Sequence, residues 1–160
     1  MIIIQPTKRL LGAELWATQK ELYDLYELIG RYWESSDDPD CIDDILACFS
    51  YDVRKAHTQC RLYCQTDPRE KGAKYIEIGC QEAYEKYLKH LNPEEVEQSI
   101  FGVRIIWPSL FLYLSALRYR MGCRPNSQKD IAILDELVQK TKEALESVHK
   151  PTAKKLYPYL

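Results

Sequence analysis

Residues 2–18 read "IIIQPTKRLLGAELWAT". This stretch separates an all-helical bundle from a mixed architecture. Ile2, Ile3 and Ile4 are β-branched and suit a pleated, half-buried surface, and "QPTK" then supplies turn chemistry. In "LLGAELWAT", Leu11, Ala13, Leu15 and Ala17 alternate with Gly12, Glu14 and Trp16. A period of two is the signature of a strand. Two strands joined by a short polar turn predict an antiparallel hairpin at the N-terminus.

Beyond Thr18 the period lengthens. Thr18 and Glu21 form the T-x-x-E pattern of a capping box. Leu22, Leu25, Ile29 and Trp33 follow at helical spacing and predict a first helix with one apolar face. The polar run "SSDDPD" ends it. Asp38 and Pro39 have the residue types of an N-cap and a first helical position, and acids in the first turn oppose the helix dipole. The second helix is expected from about Asp40 to about Cys64. Five nearby aspartates raise the question of a calcium loop. The spacing lacks the central glycine, and Cys48 stands where the bidentate glutamate belongs, so calcium is set aside.

Further on, "AKYIEI" alternates and predicts a third strand. "CQEAYEKYLKHL" is amphipathic, and Asn92 with Pro93 starts another helix. Ile105–Leu117 is the most apolar run. As a helix it would span about 20 Å against a bilayer core of ~30 Å, so it reads as a buried helix that Pro108 kinks or begins. Ser127 caps a last helix with Ile131, Leu134, Val138, Leu145 and Val148 as its stripe, and Pro151 is expected to stop it. The expected fold is α+β: one domain over residues 1–160, mostly helical with about five helices, and a small N-terminal antiparallel sheet.

Bulk composition narrows function. The chain has 160 residues, 46% hydrophobic and 29% charged, with net charge −2. That is an ordinary soluble composition without the basic excess of a dedicated nucleic-acid binder. The opening run lacks the charge order of a signal peptide, so the cytosol is the expected compartment, and its reducing milieu argues against a disulfide framework for the six cysteines. No membrane segment and no cofactor is expected.

"CFSYDVRKAHTQCRLYC", Cys48 to Cys64, holds three of those cysteines and a histidine. On one continuous helix the cysteines would follow the apolar stripe as small buried hydrophobes. The same phase would set His57, Cys60 and Cys64 on one face, the arrangement a metal ion needs, with Cys123 or Cys80 as a fourth ligand. Short C-x-x-C knuckles are absent, so buried thiols are the favoured reading. Asp52 falls beside the same stripe, and a carboxylate there must be paired. Arg104 and Arg118 bracket the most apolar run. Asp52, Arg104 and Arg118 therefore make a candidate polar pocket for an anionic ligand. "LRYRMGCR" interleaves Arg118, Arg120 and Arg124 with Tyr119, a pattern that binds single strands but more often ends a helix.

No glycine-rich phosphate loop, H-E-x-x-H or G-x-S-x-G motif occurs. "GAELWAT", "SYDVRKAH" and "GVRIIWPSLFLYLSALR" resemble segments of small bacterial proteins of uncharacterised function, a resemblance that spans most of the chain and implies no activity. Twelve tyrosines suit interfaces. The leading expectation is a non-catalytic cytosolic protein that binds another protein or a second copy of itself. The alternative is a small-ligand binder or enzyme using the pocket near Asp52, Arg104 and Arg118.

Overall fold

The computed structural model describes residues 2–33, 41–59, 61–64, 67–70, 73, 75–78, 82, 85, 86, 89 and 99–160. The N-terminal hairpin forms as β1 (Ile3–Pro6) and β2 (Gly12–Thr18). Three more strands join it: β3 (Leu62–Cys64), β4 (Tyr75–Glu77) and β5 (Ile100–Ile106). They make one antiparallel sheet in the order β1-β2-β5-β3-β4. Among the described residues there are four α-helices rather than about five: α1 (Gln19–Trp33), α2 (Cys41–Gln59), α3 (Trp107–Gly122) and α4 (Gln128–Leu156). A 3-10 turn, Tyr157–Tyr159, follows α4. The expected helices at "CQEAYEKYLKHL" and Asn92 fall almost wholly outside the described residues, as does the Asp38 cap.

The period-two pattern places one face of each strand on the helices. Ala13, Leu15 and Ala17 of β2 join Phe101, Val103 and Ile105 of β5 in the main core, against Leu22, Leu25 and Ile29 of α1 and Phe49 and Val53 of α2. Each of the larger of these side chains contributes about 1.5–3 kcal/mol by burial, and the two alanines less. The opposite face has its own small apolar cluster of Ile3, Trp16, Leu62 and Cys64, with Tyr75 and Ile100 packed against it. Trp16 lies flat over Gly102, and a Cβ there would stand 2.6 Å from the indole ring. The pairing of Trp16 with Gly102 across β2 and β5 thus needs glycine at that position.

The sequence and the structure part at two element ends. The second helix stops at Gln59, and Leu62–Cys64 leaves it as a strand. Ile105 and Ile106 close a strand rather than open a helix, and α3 starts at Trp107 with Pro108 in its first turn. Proline fits there because the N–H it lacks has no helical partner. The last helix does break beside Pro151, as its sequence implies. The backbone leaves helical geometry at His149 (φ −161°, ψ 97°), and helix resumes to Leu156. The phase also shifts by one position in α1, where Tyr32 is buried and Trp33 exposed.

Of the caps read from sequence, the two that lie among the described residues form. Thr18 N–H donates to Glu21 Oε2 at 3.0 Å, and Glu21 N–H donates to Thr18 Oγ1 at 3.3 Å. Ser127 Oγ accepts from Asp130 N–H at 3.1 Å. Asp130 in turn holds Arg31 at 2.6 Å, which ties the end of α1 to the start of α4.

Candidate binding site

The polar feature of the sheet is a ladder across its outer face. Gln5 of β1 lies opposite Glu14 of β2, and Glu14 lies opposite Arg104 of β5. Glu14 is 2% exposed. Gln5 Nε2 donates to Glu14 Oε2 at 3.0 Å, and Arg104 Nε donates to Glu14 Oε1 at 3.1 Å. Both oxygens of a buried carboxylate are thereby satisfied, as burial requires. Arg104 Nη1 reaches the other way, to Glu77 Oε2 of β4 at 2.8 Å. Burial opposes the Arg104 charge, but its bonds to Glu14 and Glu77 outweigh that and hold the guanidinium above its usual pKa.

Beside the ladder lies a cavity of about 430 Å³, lined by Thr7, Lys8, Arg9, Leu11, Gly12, Glu14, Tyr75, Arg104, Ile105 and Ile106. The size lies within the usual range for small-molecule sites, roughly 300–1,000 Å³. The hairpin loop forms its rim and is fixed by local bonds. Thr7 N–H donates to Gly12 O at 2.9 Å, and Leu10 N–H donates to Thr7 O at 2.8 Å. From outside the loop, Trp107 Nε1 donates to Leu10 O at 3.1 Å. These bonds hold Leu10 at φ 58°, the left-handed region that costs a non-glycine residue about 1–2 kcal/mol. The result is an apolar lip: Leu10 is 53% exposed, Leu11 69% and Ile106 58%. Lys8 Nζ stands 5.6 Å from the Tyr75 ring centroid across the opening.

The three residues of the sequence-derived pocket meet different partners. Asp52 Oδ2 accepts from the Tyr113 hydroxyl at 3.1 Å. Burial pushes the Asp52 pKa up, against the opposing effects of the Tyr113 bond and the Arg61 charge. Tyr113 is itself pushed well above the usual phenol value by its own burial and then by the Asp52 charge. Arg118 Nη1 donates to Leu160 O at 2.7 Å and lines a separate, open cavity near the C-terminal turn. Arg104 and Arg118 line different cavities, and Asp52 lines neither. The distance between these sites follows from the strand at Ile100–Ile106: it sends Arg104 to the outer sheet face, while Arg118 rides a helix.

The proposed metal set does not share a helix face. His57 is near the end of α2, Cys64 is buried in β3, and Cys60 lies outside the described residues. His57 packs between Tyr23 and Tyr26, with ring centroids 5.9 and 5.7 Å away. Burial lowers its pKa. Among the described residues, no group of three or more His, Cys, Asp or Glu side chains is placed to hold a metal ion. Cys41 and Cys48 are exposed, so these two thiols do not follow the apolar stripe, whereas Cys64 is buried; Cys123 is exposed as well. In "LRYRMGCR", Arg118 holds Leu160 and Arg120 holds Asp43 at 2.8 Å. No helix of the described residues is long and apolar enough to cross a membrane.

Glu14 escaped the reading of the sequence, although its signal was present. It stands between Gly12 and Trp16 on the same face of a strand. A carboxylate beside a buried tryptophan needs a cation opposite it. Only a strand assignment for "IFGVRII" would have offered Arg104 as that cation.

No curated protein and no solved structure matches the chain. Residues 2–159 match the family described as Domain of unknown function (DUF6904), and that match covers nearly the whole fold, hairpin, cavity and helices included. The chain belongs to this family.

Proposed function

We propose that the chain is a non-catalytic binding domain whose ligand enters the cavity beside the N-terminal hairpin. The observation that carries this reading is the cavity itself: about 430 Å³, lined by Leu11, Ile106 and Tyr75 among its apolar residues, with Lys8, Arg9 and Arg104 beside them. Apolar walls with a few converging polar groups are what a small-molecule site needs. Its buried carboxylate, Glu14, is held on both oxygens by Gln5 and Arg104, which favours a structural over a proton-transfer role. The strained, bonded loop supports a preformed site. Of the residues read from sequence, Arg104 belongs to this site. The compartment we expect is the cytosol, where the exposed thiols of Cys41, Cys48 and Cys123 would stay reduced.

A neutral solvatochromic dye such as Nile red tests the reading. It should bind saturably at one site, with amide shifts confined to Thr7–Gly12 and Arg104–Ile106. Ile106→Glu, at an exposed position, should abolish binding and leave the melting temperature unchanged. Binding that survives Ile106→Glu, or shifts elsewhere, would overturn the assignment.

A second reading rests on the lip. Leu10, Leu11 and Ile106 form an exposed apolar patch, which marks interaction sites on soluble proteins. Another protein, or a second copy of this chain, would cover it. Light scattering over a concentration series should then show a species larger than one chain that Leu11→Glu returns to a monomer. A strict monomer at high concentration removes the self-association form.

A further inference from the structure

We propose that the cavity takes a small amphipathic anion, a carboxylate or phosphate on an apolar body, and that Glu77 holds the anion's place on Arg104 until the ligand arrives. This rests on the binding reading above and specifies its ligand.

The two arms of Arg104 are unlike. The inner arm, Nε to Glu14, ends on a carboxylate whose side chain is 3% exposed, whereas the outer arm, Nη1 to Glu77, ends on one that is 67% exposed. Removing the partner of a buried charge is strongly destabilising, while an exposed ion pair is worth only about 0–1 kcal/mol. Glu14 therefore fixes the guanidinium in place, and the Glu77 contact is the exchangeable one. A planar guanidinium already oriented is a donor fork that suits carboxylate and phosphate alike. Its remaining donors cost the ligand little ordering.

The surroundings select the same chemistry. Three cations, Lys8, Arg9 and Arg104, line the cavity against one carboxylate, Glu14. The chain as a whole carries net charge −2, so this positive spot is local. A headgroup on Arg104 would leave the ligand's body against Leu11, Ile106 and Tyr75. Glu77 is well placed to give way. It sits in β4, a strand of three residues that among the described residues is paired on one side only, to β3. Short edge segments open at low cost. A ligand carboxylate or phosphate would replace the Glu77 carboxylate on Nη1, and Glu77 would turn to water.

Isothermal titration with octanoate and octyl phosphate tests this, with octanol as the tail alone and inorganic phosphate as the head alone. The parent chain should bind at least one of the two amphiphiles at one site, and more tightly than either fragment. Which of the two binds better distinguishes a carboxylate from a phosphate ligand. Glu77→Gln should tighten that binding several-fold, because the competitor loses its charge. Arg104→Lys should weaken it, since the charge remains and the fork is lost. Unchanged or weaker binding by Glu77→Gln would overturn the place-holding role while leaving the cavity a ligand site. Octanol binding as tightly as the anions would overturn the ligand class. If no probe binds but the neutral dye does, the anion proposal fails and the binding domain stands.

Discussion

At the scale of single residues, Asp52 shows how a physical demand can be read from sequence before its partner is known. Helical spacing sets this carboxylate beside the apolar stripe, where it needs a cationic or hydroxyl partner, and the structure gives it the Tyr113 hydroxyl. The expected cost of Asp52→Ala is therefore about 1 kcal/mol, the worth of a neutral-donor hydrogen bond, and not the larger cost of stranding a buried charge. The pH dependence has a definite sign. Burial raises the folded-state pKa above the unfolded value, so the folded chain binds the proton more readily. The carboxylate's penalty is absent below the unfolded value of ~4 and grows as pH rises through the raised folded value. Asp52→Asn keeps an acceptor for Tyr113 and cannot titrate. Urea unfolding should show this variant gaining stability over the parent as pH rises from about 4 to neutrality. A difference that is flat with pH would show that Asp52 does not titrate abnormally.

Among the elements, local signals proved legible and long-range ones did not. The hairpin was written in a period of two, and both caps in short fixed spacings, because each depends only on neighbours in the chain. The Ser127 cap is a fair measure of such a signal. Ser127→Ala should cost about 1 kcal/mol and Ser127→Gly only a few tenths, read as a shift in the urea midpoint at constant slope. Equal losses for both would mean that the Oγ bond to Asp130 is idle. Strand β5 was hidden because "IFGVRII" runs straight into "WPSLFLYL". Phe101, Val103 and Ile105 face the core, but Ile100 and Ile106 on the other face are apolar too, so the stretch reads as a nearly continuous apolar run, which periodicity cannot tell from a buried helix. The end of α2 was missed for a related reason. Leu62, Tyr63 and Cys64 continue an apolar pattern, but their burial comes from pairing with β5 and β4, which no local window contains.

For the whole molecule, the candidate site inherits that difficulty. Arg104 stood out in the sequence as a charge beside an apolar run. Its partners Glu14 and Glu77 come from two other strands, and only the order β1-β2-β5-β3-β4 brings them together. The central pairing has a consequence for how the protein is made. Gly12 lies opposite Ile106 and Thr18 opposite Ile100, so the middle of the sheet joins the start of the chain to a strand much later in it. A ribosome adds roughly 5–20 residues per second. During that interval the new hairpin and first helices have no β5 to cover them, and Trp16 has no Gly102 to lie on. The nascent chain therefore carries the inner face of its hairpin uncovered for several seconds, and the centre of the sheet closes only once β5 has been made.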